Sequence, residues 1–164
     1  MTSARILQIN VSKGGVPKTS VPVASVAPGT GISIDDQADK QHHGGPLQDL
    51  CLFRLETLRL LQDEGHPIYP GAVGENLTIA GLAPEQFVGG VRLRLGGTVE
   101  VELTEAATPC RNIGAAFADR QFVRISEKLH PEDVRMYARV LSPGEIRPGD
   151  KIVVISTEEK SCNG

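Results

Sequence analysis

The sequence predicts a mainly β, β-rich α+β domain built around one main helix. Three observations lead there. The 164 residues include 18 Gly and 11 Pro but only four Phe, two Tyr and no Trp, so turns are frequent and strands short. Several short runs alternate apolar and polar residues, the period of half-buried strands. Only one stretch, about residues 47–64, repeats its apolar residues at helical spacing. A hydrophobic share of 40% and a charged share of 23% are ordinary for a globular chain. The length suits one domain with its own core. Residues 3–157 are read as that domain and residues 158–164 as a polar, fraying tail.

Charge and cysteine usage exclude several function classes. A net charge of −3 lacks the basic footprint of a nucleic-acid binder. The first ten residues hold no apolar signal core, and no apolar run is long enough to span a bilayer. The three cysteines Cys51, Cys110 and Cys162 are widely spaced and form no C-x-x-C pair, which speaks against a disulfide framework or a structural zinc site. A cytoplasmic chain with free thiols, no membrane contact and no nucleic-acid partner is expected.

In chain order, residues 5–11 alternate Ile6, Leu7, Ile9 and Val11 with Gln8 and Asn10, which suits a first strand. The following S-K-G-G-V-P-K-T-S resembles a P-loop only superficially. It has no Gly-Lys-Ser/Thr, and strand-like sequence follows Lys18 where a P-loop needs a helix. Residues 21–27 and 31–34 read as short strands around the Pro28-Gly29 turn. Pro46 then opens the predicted helix, with Leu47, Leu50, Cys51, Leu55, Leu58 and Leu61 on one face and Gly65 with Pro67 as the stop. Cys51 is expected in the core.

Residues 65–82 contain four glycines and two prolines, so a backbone in unusual conformations is expected before a strand near 76–79. Residues 91–103 form a hairpin whose register can be derived. A two-residue Gly96-Gly97 turn would put acidic residues on the apolar face. A three-residue loop, Gly96-Gly97-Thr98, pairs Leu95 with Val99, Leu93 with Val101 and Val91 with Leu103, and sets Arg94 against Glu100 and Arg92 against Glu102. The three-residue loop is predicted. Beyond it lie a helical turn at 112–118, a helix or strand at 122–129, a strand at 134–141, and a turn leading to a buried final strand within 144–156.

Candidate chemistry centres on Cys110, which follows a strand between Pro109 and Arg111. The neighbouring cation favours the thiolate, the form that attacks or binds metal. The same position suits an ordinary loop cysteine equally well. His42 and His43 lack the further ligands that zinc needs, but they precede Gly44, Gly45 and Pro46 at a helix start, where free backbone N–H groups seat anions. A plain tight turn explains that junction as well. Glu75 and Asn76, after Gly74, either orient a ligand or satisfy the backbone of a glycine-rich loop.

Three segments carry a resemblance when taken in order: Asp39-Lys40-Gln41-His42-His43-Gly44-Gly45-Pro46, Pro70-Gly71-Ala72-Val73-Gly74-Glu75-Asn76-Leu77, and Thr108-Pro109-Cys110. Together they resemble the MOSC domain, the module related to the C-terminal part of molybdenum-cofactor sulfurases. Residues 87–95 and 144–150 fit its pattern too. The resemblance implies a strongly bent, β-barrel-like fold with few helices. It implies a molybdenum cofactor (molybdopterin) and a small-molecule substrate, with reduction of N-hydroxylated compounds at molybdenum held by the Cys110 thiolate. The other activity it implies is sulfur carriage as a Cys110 persulfide, or carriage of the cofactor without turnover. Pyridoxal phosphate is not expected. The cofactor-binding residues it implies are His42, His43, Gly44, Gly45, Glu75, Asn76 and Arg111. A soft thiolate suits a molybdenum ion that already holds a dithiolene.

The chain departs from the family pattern in two places. Ala106-Ala107 stand where many relatives have a basic residue, and Gly89-Gly90 stand where they often have Gly-Asp. Lys13, Lys18, Arg54 or Arg124 would then have to supply the missing cation. Some reductase relatives carry an extra N-terminal domain or a helical extension, so a free-standing module is expected to need a reductase or sulfurtransferase partner.

Overall fold

The computed structural model describes residues 3–12, 16–33 and 47–156. The strands are β1 (Arg5–Val11), β2 (Thr19–Val21), β3 (Ala24–Ala27), β4 (Gly31–Ile32), β5 (Leu50–Arg54), β6 (Leu77–Ala80), β7 (Arg92–Leu95), β8 (Val99–Ala106), β9 (Met136–Ser142), β10 (Gly144–Ile146) and β11 (Ile152–Ser156). One α-helix is described, α1 (Leu55–Asp63). The large sheet runs in the order β11-β7-β8-β9-β5-β6-β1-β2, and β10-β3-β4 form a smaller one. The predicted β-rich fold class with one main helix is the one observed.

The hairpin adopts the derived register: Leu95 faces Val99, Leu93 faces Val101, Arg94 faces Glu100 and Arg92 faces Glu102. Leu93, Leu95, Val99, Val101 and Leu103 are fully buried, whereas the Arg94–Glu100 pair lies on the open face at 3.0 Å. Burial of one face therefore selects the pairing, and the ion pairs follow it. Gly96 takes φ +66° in the three-residue loop, a conformation that favours glycine.

The helix is shorter than predicted. Residues 50–54 are strand β5, and the helix begins only at Leu55. All five residues of β5 are buried: β9 (antiparallel) and β6 (parallel) cover its edges, and its side chains enter different apolar clusters, Leu50 and Leu52 in one and Phe53 in another. A strand buried on both faces reads as a continuous apolar run and has no period of two to betray it. Cys51 is buried as expected, but on β5. The helix stops where predicted, with Gly65 at φ +100° just past its end. α1 is thus the crossover that a parallel β5–β6 pair requires.

Three other expectations are corrected or resolved. Pro22 splits the predicted 21–27 strand into β2 and β3, since proline cannot donate to a ladder. Residues 122–125 form a 3-10 turn. The final strand, β11, is only half buried: it is the last strand of the large sheet, with Ile152 in the core and Val153 46% exposed.

The expected barrel-like bend is present, although the sheet does not close. β1, the strand next to β2 at one end of the order, meets the chain entering β11, the strand at the other end, at an isolated bridge between Arg5 and Lys151. Around it, the Ile6 N–H donates to Asp150 O (2.9 Å), the Gly149 N–H to Ile6 O (2.7 Å) and the Ile152 N–H to Ala4 O (2.9 Å). The first strand therefore touches the last. The main core fills the inside of this curl. A second cluster packs Leu55, Leu58 and Leu61 of α1 against Val73, Ile113 and Phe117. It docks the loop that carries residues 70–75 and the turn after Cys110 on the same helix.

If burial sets the hairpin register, Leu93→Ala should cost about 2–5 kcal/mol. Arg94→Ala should cost less than about 1 kcal/mol. Urea unfolding of the two variants measures both.

Candidate functional site

Cys110 stands exposed and extended (φ −140°, ψ 173°) in the loop after β8, at the head of a 3-10 turn, Arg111–Ala116. The loop is anchored just before the cysteine. Ala107 is buried against Cys51 and Tyr137, and its N–H donates to Arg135 O at 2.9 Å. One terminal nitrogen of Arg135 donates to Thr108 O (3.3 Å), and the other donates to Val73 O (2.9 Å). The T-P-C segment and the 70–76 segment are thereby neighbours, brought together by a residue that neither contains. Tyr137 lies beside them. Burial pushes its phenol well above the usual range, and negative charge at Cys51, Glu105 and Cys110 pushes in the same direction.

Glu75 and Asn76 both face inward. Asn76, 2% exposed, opens the parallel pairing of β5 with β6: its backbone N–H donates to Cys51 O (2.7 Å), and its side-chain oxygen accepts the Cys51 N–H (2.9 Å). Glu75 is wholly buried, and its Oε2 accepts the Gly71 N–H (3.0 Å) and the Thr78 hydroxyl (2.9 Å). Its Oε1 has no hydrogen-bond partner. Burial pushes this carboxyl above its ordinary value, against the lowering effect of the Gly71 N–H. Asn10 donates to Glu75 O (3.1 Å) and Thr78 Oγ1 (3.1 Å). The polar side of β1 thus supports the 70–76 loop instead of meeting solvent. The Glu75 and Asn76 side chains satisfy backbone groups and shape the loop.

Glycine is required at two places in this loop. A Cβ on Gly71 would run into the Lys18 carbonyl oxygen, and one on Gly74 would come within 2.7 Å of Val16. Both have positive φ.

The cations named from sequence mostly serve the fold. Arg54 donates to Leu82 O at 3.1 Å, and Arg124 is held by Glu64 and Asp133 at 2.8 Å each. Lys18 is buried, and its N–H donates to Gly71 O. Arg111 is exposed, as a cofactor contact must be. Its carbonyl accepts from Arg120 (3.2 Å), which reaches back through a left-handed backbone at Asp119 and Arg120. Arg120 was not anticipated, because only that chain reversal brings it near Cys110. Nor was Arg135, which reads as an ordinary charged residue ahead of a strand. His42, His43, Gly44 and Gly45, like Lys13 and Cys162, lie outside the described residues.

The family model of the MOSC domain matches residues 39–153. The chain belongs to the MOSC domain family. YflK of Bacillus subtilis is 31% identical over 131 residues, covering 79% of this chain and 58% of that protein. YiiM of Escherichia coli is 24% identical over 130 residues, covering 77% and 57%. The chain thus spans somewhat more than half the length of these relatives. Among solved structures, YiiM of Geobacillus stearothermophilus superposes with a TM-score of 0.69 at 23% identity, covering 93% of this chain and 75% of that one. YuaD of Bacillus subtilis superposes at 0.68 and 16%, covering 92% and 94%. At such identities the likeness concerns the fold alone.

The MOSC family is associated with binding the molybdenum cofactor, and the donor set here fits that group. Among the described residues no three His, Cys, Asp or Glu side chains converge on a metal position. One exposed soft thiol suits a metal that brings its other ligands with it. Arg111 and Arg120 are exposed cations near that thiol, as an anionic cofactor requires. Among the described residues no helix is long and apolar enough to cross a membrane.

The raised Glu75 carboxyl predicts a pH dependence of stability. Near its ordinary value of 4.5 and above, the unfolded chain releases this proton while the folded protein keeps it. The folded state binds more protons, so stability falls as pH rises toward the folded pKa. Glu75→Gln, which cannot ionise, should remove that component. Urea midpoints of wild type should therefore drop relative to E75Q as pH increases from 4; parallel curves would assign the proton elsewhere.

Proposed function

We propose that this chain binds the molybdenum cofactor with the Cys110 thiolate as a molybdenum ligand, and reduces N-hydroxylated compounds with electrons from a separate reductase protein. The observation that carries this reading is an exposed Cys110 on an internally braced loop in a MOSC-family chain. When bound, the cofactor supplies the redox centre. The net reaction takes two electrons and two protons and turns N–OH into N–H and water.

The residues of the chain bind and orient. Cys110 offers one soft, exposed ligand on a loop braced just before it, because Ala107 and Thr108 are tied to Arg135. Arg111 and Arg120 attract the negative charge of the cofactor's phosphate, the task assigned from sequence to Arg111 with His42, His43, Gly44 and Gly45. Glu75 and Asn76 hold the adjoining loop in shape beneath them.

Production in cells able and unable to make the cofactor tests the proposal. Molybdenum should co-purify only from competent cells, and Cys110→Ser should reduce it by at least about tenfold. A metal-free protein from competent cells would sink the proposal.

Sulfur carriage is the second reading, favoured by the exposure of the Cys110 thiol to a partner protein. Incubation with a cysteine desulfurase and cysteine should then add the mass of one sulfur atom to wild type and not to C110S. An adduct that persists in the mutant would place the carrier site elsewhere.

A further inference from the structure

We infer that Arg135 is a positioning residue that joins the Cys110 loop and the 70–76 loop into one unit. The G-E-N segment then acts on the site through Arg135 and not by contact. The inference rests on Cys110 being the centre of the site.

Arg135 sits immediately before β9 and is 6% exposed. Its guanidinium spans two backbone carbonyls that are far apart in sequence, Val73 O at 2.9 Å and Thr108 O at 3.3 Å. Its own carbonyl accepts the Ala107 N–H at 2.9 Å. The residues before Cys110 are therefore gripped by both the main chain and the side chain of one residue. The planar fork fixes the separation of the two loops, because its terminal nitrogens lie at set positions.

Stability alone accounts poorly for this arginine. Its Nε is buried without a hydrogen-bond partner, and its guanidinium is buried together with the Glu75 carboxyl that feels its charge. A buried charge, even with an opposite one near it, is often no more stabilising than an apolar side chain of similar size. What an apolar residue could not do is hold Val73 and Thr108 together. On the far side, Glu75 takes the Gly71 N–H and so presets the turn that presents the Val73 carbonyl. The connection runs from Glu75 through Gly71 and Val73 to Arg135, then through Thr108 to Cys110.

Arg135→Lys and Arg135→Met test this in two ways. A lysine keeps the charge, but its single nitrogen cannot occupy both terminal positions. In metal-free protein, amide exchange followed by mass spectrometry should speed up by about tenfold at both 70–76 and 106–113, with the β7–β8 hairpin unchanged. In protein made with the cofactor, molybdenum retention should weaken about 10- to 100-fold, and lysine should not rescue it. Unchanged exchange at 106–113, faster exchange spread over the whole sheet, or full retention in the lysine variant would each overturn the inference. If the methionine variant does not fold, the lysine variant decides alone. Should C110S keep its molybdenum, the proposed function fails, while the exchange measurement still judges Arg135.

Discussion

Two central strands lie side by side with every position buried, and this sets the terms for what surrounds them. β5 and β6 cannot send any backbone group to water, so each N–H and C=O must find a partner within the protein. Parallel pairing also demands a long crossover, which α1 and residues 64–76 supply. Where the crossover rejoins the sheet, Asn76 completes the first rung with both its main chain and its amide. Glu75 closes the turn just before it. A segment that looks like a ligand cradle in sequence is, at the level of side chains, the repair of a buried backbone. It shapes a loop whose carbonyls are then available to a neighbour.

How much of this could be read from the sequence varies by element, for physical reasons. The β7–β8 hairpin was legible because one face must be apolar and the other charged, and a single register satisfies both. β5 was not, because Leu-Cys-Leu-Phe-Arg is apolar on both faces and runs straight into a true helix of similar composition. The site was half legible. An exposed cysteine after a strand, beside proline and arginine, could be singled out from local sequence, and the glycine-rich segment could be flagged as unusual. Arg135 could not, since it acts on residues 62 and 27 positions away. Arg120 depends on two non-glycine residues in left-handed conformation, which nothing in Ala118-Asp119-Arg120 announces.

Charge at the site is divided between support and display. Arg54 and Arg124 fasten a loop carbonyl and two carboxylates, and the hydrogen bond to Glu64 holds the Arg124 charge firmly on. Arg111 and Arg120 are exposed residues, with the Arg120 guanidinium lying on Gly114 and donating to the Arg111 carbonyl. Ala107 shows why no basic side chain stands at that position: it fills a buried gap between Cys51 and Tyr137. Among the described residues, the cations near the thiol come from the turn that follows it.

The meeting of β1 with β11 carries a consequence for how the protein is made. The hydrogen bonds of Ile6 are completed by residues 149 and 150, so the Arg5–Ile6 half of β1, which β2 does not cover, gains its second neighbour from a segment far along the chain. Until then the edge at Ile6 is open. Pairings of such long sequence separation form slowly, because closure entropy must be met before contacts repay it. The fold therefore matures as a whole only when β11 joins it, and until then the open edge of β1 is the part that most needs shielding from other chains.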